Sequence, residues 1–240
     1  MSPPLADRIA LVTGASRGIG QATALALARA GAHVVAVART VGGLEELDDA
    51  IQAGGGTATL VPLDLKDTPG IVRLAAALAE RYQRLDVLVG NAGILGPLSP
   101  LDHVEPKAWD DVLAVNLTAN WHLIRAMHPL LKASTAGRVV FITSGNVTHP
   151  RAYWGPYAVS KAALESLART YAAETTKTSV RVNLFNPGPT RTRMRSAAMP
   201  GEDPATLKTA EPVAEKLLEL CLPEFAETGQ TYDFAKGRRA

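Results

Sequence analysis

Short apolar runs alternate with helix-forming segments along most of this chain, and that alternation restricts the fold more than any other feature. The runs are rich in valine, which is typical of strands buried on both faces of a parallel sheet. Seven strands are predicted, at residues 8–14, 32–38, 57–63, 85–91, 137–144, 180–186 and 229–234. Helices are predicted at residues 20–31, 44–53, 71–81, 109–132, 157–176 and 213–221. The pattern predicts an α/β fold, a doubly wound parallel sheet flanked by helices on both faces.

Composition is consistent with one domain over residues 1–240, since 47% of the residues are hydrophobic and no linker divides the chain. A net charge of +2 argues against a nucleic-acid partner. No uncharged apolar segment reaches the roughly 18 residues that span a bilayer, and the first residues lack a leader pattern. The single cysteine, Cys221, excludes an intramolecular disulfide and is interpreted as a core residue. We therefore expect a cytoplasmic protein with no membrane partner.

A glycine-rich turn, TGASRGIG, follows the first predicted strand and opens a helix. Glycines let a backbone approach a pyrophosphate, and the helix N-terminus supplies amide donors and a positive dipole end. The glycines fall at 14, 18 and 20, which is neither the common dinucleotide fingerprint nor a P-loop. The turn alone is weak evidence, and its place directly after a strand favours a cofactor site.

Tyr157 and Lys161 lie four residues apart near the start of a predicted helix, so both should project from one face. A tyrosine hydroxyl beside an ammonium group is suited to proton transfer, but the same spacing occurs on many ordinary surface helices. The pair alone does not decide between these interpretations.

Several motifs together resemble the short-chain dehydrogenase/reductase family. They are TGASRGIG at 13–20, LDL at 63–65, NAG at 91–93, Asn116 within AVNLTAN, Ser144 ending VFITS, YAVSK at 157–161 and NPGPTRT at 186–192. They follow the family's order over about the first four-fifths of the chain. The C-terminal segment is less similar, because many members end in a glycine-rich DGG where this chain has YDFAKGRR. The resemblance implies a single Rossmann-type domain that transfers hydride between a nicotinamide cofactor and a carbonyl or alcohol.

The resemblance also implies roles for four catalytic residues. Tyr157 would be the general acid in reduction and the base in oxidation. Lys161 would lower the pKa of the phenol and hold the ribose next to the nicotinamide. Ser144 would hydrogen-bond the substrate oxygen. Asn116 would hold, through its backbone, a water that links to Lys161 and relays protons.

The expected cofactor is NADP(H), with NAD(H) the weaker alternative. Family members that use NAD have an acidic residue at the end of the second strand, where this chain has Ala38 followed by Arg39. Arg17 supplies a second guanidinium, and two planar cations suit a 2′-phosphate. Arg17 alone is weak evidence, because relatives that use NAD also carry a basic residue there. The cofactor-binding residues expected are Gly14, Ser16, Arg17, Gly18, Ile19, Gly20, Arg39, Thr40, Asp64, Leu65, Asn91, Ala92, Gly93, Tyr157, Lys161, Pro187, Gly188, Thr190 and Thr192.

A substrate lid is expected around residues 189–210, where the pattern loosens into a segment rich in Pro, Thr and Arg. Arg191, Arg193 and Arg195 in this segment either attract an acidic substrate or form a solvated helix face. His149, Tyr153 and Trp154 either line the substrate pocket or pack the fold. The five histidines show no metal spacing, so no metal site is expected.

Two functions remain open at this point. The favoured one is an NADP(H)-dependent carbonyl reductase or alcohol dehydrogenase, with a 3-oxoacyl thioester, a sugar, a steroid or another ketone as substrate. The alternative is a protein that binds the dinucleotide as a sensor or scaffold and turns nothing over.

The predicted helix 109–132 is apolar over more of its circumference than one sheet face needs. With helix 157–176 it predicts at least a homodimer, and the family implies a tetramer, unless the extra apolar residues are buried within one chain.

Overall fold

Eight strands form one sheet in the computed structural model, which describes residues 2–238. Their bounds are β1 Ile9–Thr13, β2 His33–Ala38, β3 Thr57–Pro62, β4 Val87–Gly90, β5 Arg138–Ile142, β6 Arg181–Asn186, β7 Thr231–Asp233 and β8 Gly237–Arg238. Their order in space is β3-β2-β1-β4-β5-β6-β7-β8. The first seven are parallel, and β8 pairs antiparallel with β7. The order reverses between β1 and β4, which is the position where sheets of this type bind ligands.

The helices are α1 Gly18–Arg29, α2 Val41–Ala53, α3 Thr68–Tyr82, α4 Pro106–Leu113, α5 Ala119–Ala133, α6 Gly155–Glu174, α7 Arg193–Ala198 and α8 Ala210–Glu219. Helices α1, α2 and α8 cover one face of the sheet, and α3, α5 and α6 cover the other. Along β1, Leu11 joins one hydrophobic core while Ala10 and Val12 join the other. This alternation is why the strand is apolar at every position. The predicted Rossmann-type, doubly wound fold is confirmed.

The segment predicted as a helix over residues 109–132 is helical throughout, but a π turn interrupts its regular α-helical geometry. Helix α4 ends at Leu113, a π-helical turn runs over Ala114–Thr118, and α5 begins at Ala119. A π turn inserts one residue without breaking the run of apolar side chains, so hydrophobic periodicity does not reveal it. The turn places Asn116, which is fully buried, against the neighbouring elements.

The other predicted helices and strands begin and end within a few residues of their predicted bounds. Two short elements were not predicted from the sequence. Helix α7 forms inside the segment that was expected to be an irregular lid, and β8 adds a two-residue antiparallel edge. Cys221 is buried just after α8, as predicted. Within residues 2–238, none of the helices combines the length and the apolar character needed to cross a bilayer.

Candidate active site

A cavity of about 730 Å³ opens beyond the carboxyl ends of the central strands. Its walls are the turns that follow the strands on both sides of the switch point, together with the start of α6 and the segment that includes α7. The volume is in the range of pockets that hold cofactors and drug-sized molecules. All nineteen residues that the sequence assigned to cofactor binding line this cavity, and so does Ser144.

The glycine-rich turn forms the floor of one end of the cavity. Gly14 has a positive φ of 66°, a conformation that side chains disfavour. A Cβ on Gly20 would lie 2.3 Å from the Gly14 carbonyl oxygen, so a side chain has no room there. Asn91, after β4, fastens the turn, because its Nδ2 donates to the Thr13 carbonyl at 2.8 Å. The turn therefore leaves its backbone and the N-terminus of α1 open to a ligand.

The end of β2 supplies positive charge to the same end of the cavity. Ala38 leaves this position without a carboxylate, and the exposed Arg39 lies 3.8 Å from Asp64 in a loose ion pair. Arg17 lies at the N-cap of α1. An anion with more charge than a single carboxylate would compete with Asp64 for Arg39. The donor set fits the phosphate-bearing end of a dinucleotide.

Ser144, Tyr157 and Lys161 meet at the other end of the cavity. Ser144 follows β5, while Tyr157 and Lys161 lie on one face of α6. The Ser144 and Tyr157 hydroxyls share a hydrogen bond. Lys161 Nζ lies 5.9 Å from the centroid of the Tyr157 ring and donates to the Ile142 carbonyl at 2.7 Å. Two hydroxyl groups and an ammonium group are thus adjacent in one corner of the cavity.

Burial shifts the pKa values of both titratable groups in this corner. The pKa of Lys161 falls to about 8, because burial penalises the ammonium form. Burial raises the pKa of the Tyr157 phenol, and the hydrogen bond from Ser144 partly opposes this rise. The sequence predicts the opposite direction for Tyr157, a lowering by Lys161. Burial of the phenol, which is the largest cause of the shift, decides the direction.

Asn116 is held away from the cavity wall by three side-chain hydrogen bonds. Its Oδ1 accepts from the Ile94 amide at 2.8 Å, and its Nδ2 donates to the Ile94 carbonyl at 2.9 Å and to Ser160 Oγ at 3.0 Å. Its own backbone carbonyl accepts from Asn120 Nδ2 at 2.8 Å. The side chain of Asn116 therefore joins the loop after β4 to α6, next to Lys161.

A buried hydrogen-bond chain behind Ser144 was missed by the sequence reasoning. Thr143 Oγ1 donates to Glu165 Oε1 at 2.7 Å, and Arg169 pairs with Glu165 Oε2 at 2.8 Å. Arg169 also donates to Thr231 of β7 at 3.1 Å. Glu165 is one helical turn beyond Lys161, so a carboxylate on this apolar face was the signal available.

The residues flanking the pocket separate into two groups. His149 and Trp154 line the cavity, whereas Tyr153 is exposed and does not. The rings of Trp154 and Tyr157 pack edge to face with centroids 6.0 Å apart. Arg191, Arg193 and Arg195 all line the cavity.

Comparison with known proteins gives one family throughout. The family model described as short chain dehydrogenase matches residues 8–203. An Escherichia coli K12 protein named uncharacterized oxidoreductase YciK is 39% identical over 239 residues, which are 98% of this chain and 94% of the relative. A Mycobacterium tuberculosis relative named as an NAD-dependent oxidoreductase is 35% identical over 197 residues, 76% of this chain and 71% of its own.

Solved structures of similar proteins include complexes with NADP. A short chain dehydrogenase from Shigella flexneri 2a complexed with NADP has a TM-score of 0.94 and 38% identity, covering 98% of this chain and 100% of that one. A short chain dehydrogenase from Escherichia coli CFT073 complexed with NADPH has a TM-score of 0.91 and 39% identity, covering 98% and 99%.

Proposed function

Because this chain belongs to the short-chain dehydrogenase/reductase family, we propose that it is an NADP(H)-dependent enzyme that interconverts a carbonyl and an alcohol. The observation that carries the proposal is the corner where the Ser144 and Tyr157 hydroxyls share a hydrogen bond beside buried Lys161. The nicotinamide, when bound, supplies or accepts the hydride. The residues of this chain hold the substrate oxygen and move the proton.

Tyr157 is the general acid in carbonyl reduction and the general base in alcohol oxidation. Its hydroxyl gives a proton to the substrate oxygen as negative charge develops there. Ser144 donates a hydrogen bond to the same oxygen and stabilises that charge. Lys161, whose pKa is about 8, is cationic at neutral pH and favours the phenolate that Tyr157 becomes.

Asn116 acts in this proposal through its neighbours. Its side chain bonds Ser160, whose hydroxyl donates to the Tyr157 carbonyl at 2.8 Å. This arrangement orients the first turn of α6, where Tyr157 lies. The water relay through the Asn116 backbone stays a prediction.

NADP(H) is the proposed cofactor. Ala38 stands where a carboxylate would repel a 2′-phosphate. Arg17 and Arg39 supply guanidinium groups at the same end of the cavity. The NADP and NADPH complexes of similar proteins support this preference, while the relative named as NAD-dependent stands against it. Titration of the protein with NADPH and NADH tests the proposal. We expect tighter binding of NADPH, and an Ala38→Asp variant that shifts preference toward NADH. Equal affinities in the native protein would overturn it.

The substrate is a ketone or the matching alcohol, with a 3-oxoacyl thioester among the candidates, and the segment 189–210 serves as its lid. A panel of carbonyl compounds with NADPH, followed by loss of cofactor absorbance, tests for turnover. Reduction of any member with dependence on Tyr157 supports the enzyme. Cofactor binding without turnover of any carbonyl or alcohol would favour the sensor alternative.

The protein is also proposed to form a homodimer through α5 and α6, with a tetramer as the larger assembly. Trp121 on α5 and Val159 on α6 are each 44% exposed, so both helices present a large apolar side chain that a partner chain could cover. Light scattering after size exclusion at micromolar protein tests this. A mass near the 25.3 kDa of one chain would refute it. A cytoplasmic location stays a prediction from the sequence.

A further inference from the structure

The cavity is far more positive than the chain as a whole. The chain has 25 Lys and Arg against 23 Asp and Glu, which is nearly balanced. Within residues 2–238, the cavity wall has one carboxylate, Asp64, and seven cationic side chains. These cations are Arg17, Arg39, Arg151, Lys161, Arg191, Arg193 and Arg195. A concave surface of one sign raises the local concentration of ligands of the opposite sign.

The cofactor accounts for only part of this charge. Arg17 and Arg39 lie at the end proposed for the 2′-phosphate, and Lys161 lies in the catalytic corner. Arg191 also borders a second, smaller cleft together with Gly18 of the glycine-rich turn, so it lies on the pyrophosphate side. Three arginines of the cavity wall, Arg151, Arg193 and Arg195, are not assigned to the cofactor.

One of those three is already neutralised within the chain. Arg195 makes two parallel hydrogen bonds to Glu202, at 2.5 and 2.6 Å, which is the bidentate geometry of a strong pair. The Arg195 hydrogen bond is the main reason that the pKa of Glu202 lies below its ordinary value. Within the described part of the chain, Arg151 and Arg193 form no salt bridge, although Arg151 lies near enough to Glu202 for its charge to help lower the pKa of that carboxyl.

Arg151 has a direct geometric link to the catalytic tyrosine. Its guanidinium lies 6.0 Å from the centroid of the Trp154 ring, and the Trp154 ring lies 6.0 Å from the Tyr157 ring. These two successive contacts link a cation to the general acid through one indole ring. Trp154 thereby offers an apolar surface that touches both the proton donor and the guanidinium.

We propose that the substrate carries an anionic group, a carboxylate or a phosphate monoester, which Arg151 binds several bonds away from the reacting carbonyl. The inference rests on the proposed function, because Tyr157 fixes where the carbonyl lies. The carbon chain between the two groups crosses the Trp154 face. Arg193 adds to the positive field at the mouth, and Glu202 keeps Arg195 from being a second anchor.

Matched pairs of neutral and anionic ketones test this assignment. Oxo-carboxylic acids of increasing chain length are compared with their methyl esters, using NADPH and the full chain. At the best length, we expect kcat/KM for the acid to exceed that for the ester by about 10- to 100-fold, the usual size of a charged hydrogen bond. A parallel series of oxoalkyl phosphate monoesters shows whether carboxylate or phosphate is preferred.

Three variants locate the effect. Arg151→Gln should bring the ratio of kcat/KM for the acid to kcat/KM for the ester down to about one. Arg151→Lys should restore part of the preference, because lysine keeps the charge but lacks the bidentate fork. The matched control is Arg81→Gln. It removes an exposed arginine that lies 5.2 Å from the Tyr82 ring, at the end of α3 and near the amino ends of the strands. That control should keep the full preference for the acid.

Calorimetry separates this inference from the proposed function. The saturated carboxylic acid, which has no carbonyl to reduce, is titrated into the protein with NADP⁺ and into the Arg151→Gln variant. Binding that depends on Arg151, without turnover of any ketone, would support the anion site and refute the reductase. Equal turnover of acid and ester would support the reductase and overturn the anion site. Absence of both binding and preference for the acid would also overturn it.

Discussion

Buried charge is paired differently at the two ends of the parallel strands, which we call the amino edge and the carboxyl edge of the sheet. At the amino edge, Asp86 is 1% exposed and accepts hydrogen bonds from Arg8, Arg84, Ser134 Oγ and the Ile9 amide. At the carboxyl edge, Lys161 is 3% exposed and its recorded hydrogen bond, within residues 2–238, goes to a backbone carbonyl. The first charge is compensated by charged partners, and the second is not.

This difference in charge pairing suggests that Asp86 serves the stability of the fold and Lys161 serves function. Compensated charge at the amino edge fixes the strand ends, because the Asp86 carboxylate is occupied by four donors. Uncompensated charge at the carboxyl edge is costly in the folded protein, and it leaves a cation available to a ligand or a developing phenolate. Substitutions at the two edges should therefore affect different measurements.

The largest expected effect is on turnover, in Tyr157→Phe. Loss of the transferable proton should lower kcat by a hundredfold or more, in line with general acid catalysis, while NADPH affinity stays nearly unchanged. Steady-state kinetics and cofactor titration measure the two quantities. The control is Tyr82→Phe, which removes a hydroxyl that bonds His33 at the amino edge. Near-native turnover in Tyr157→Phe would exclude Tyr157 from the mechanism.

The next effect is on stability, in Asp86→Ala. Two arginines, a serine hydroxyl and a backbone amide would lose their shared acceptor, so the free energy of unfolding should fall by about 3 kcal/mol. Urea unfolding measures this change, and NADPH affinity should not change. Glu215→Ala is the control, since Glu215 pairs with Arg29 on the surface with its side chain 56% exposed. A loss no larger in Asp86→Ala than in this control would contradict the comparison.

Lys161→Met should stabilise the protein at neutral pH while it abolishes efficient turnover. The pKa of Lys161 is about 8 in the folded protein and near its ordinary value of 10.5 when unfolded. Below pH 8 the folded protein must therefore bury a charge, which the variant avoids. After allowance for the lost bond to Ile142, the expected gain is about 2 kcal/mol at pH 7.

The sign of the pH dependence follows from proton binding. Between pH 8 and 10.5 the unfolded wild type binds more protons than the folded one, so wild-type stability rises with pH in that window. The advantage of Lys161→Met should thus shrink from pH 7 to pH 9.5. Urea unfolding at both pH values checks this, with the exposed Lys132→Met as control. A gain that is constant with pH would show that packing, and not charge, is responsible.

The sequence predicted the strands and the cavity wall because both depend on local patterns. Continuous valine-rich runs identify strands buried on both faces, and glycine spacing identifies a turn that no side chain fits, as at Gly20. The residues expected to bind the cofactor were assigned from the family resemblance, and fold topology explains why they meet in one cavity, since parallel strands bring their carboxyl ends to one side of the sheet.

What the sequence did not predict depends on contacts between distant segments. The π turn at Ala114–Thr118 keeps the apolar periodicity, so it was absorbed into a longer helix. The Thr143–Glu165 bond joins a strand end to a helix 22 positions later. The rise in the Tyr157 pKa depends on burial, which the spacing to Lys161 does not report.

The smallest expected effect distinguishes two arginines, Arg39 at the carboxyl edge and Arg8 at the amino edge. Arg39 has its side chain 59% exposed and a loose 3.8 Å contact with Asp64, so Arg39→Ala should leave the free energy of unfolding nearly unchanged. It should weaken NADPH binding about tenfold, with less effect on NADH, if Arg39 is the charged donor to the 2′-phosphate that we propose. Arg8→Ala should do the reverse, because Arg8 pairs with buried Asp86 at 3.0 Å. Fluorescence titration of both cofactors and urea unfolding of both variants give the four values needed. A different result would contradict the comparison. If Arg39→Ala instead lowered the free energy of unfolding, or weakened the binding of both cofactors equally, the charge at the carboxyl edge would stabilise the fold, as the charge at the amino edge does.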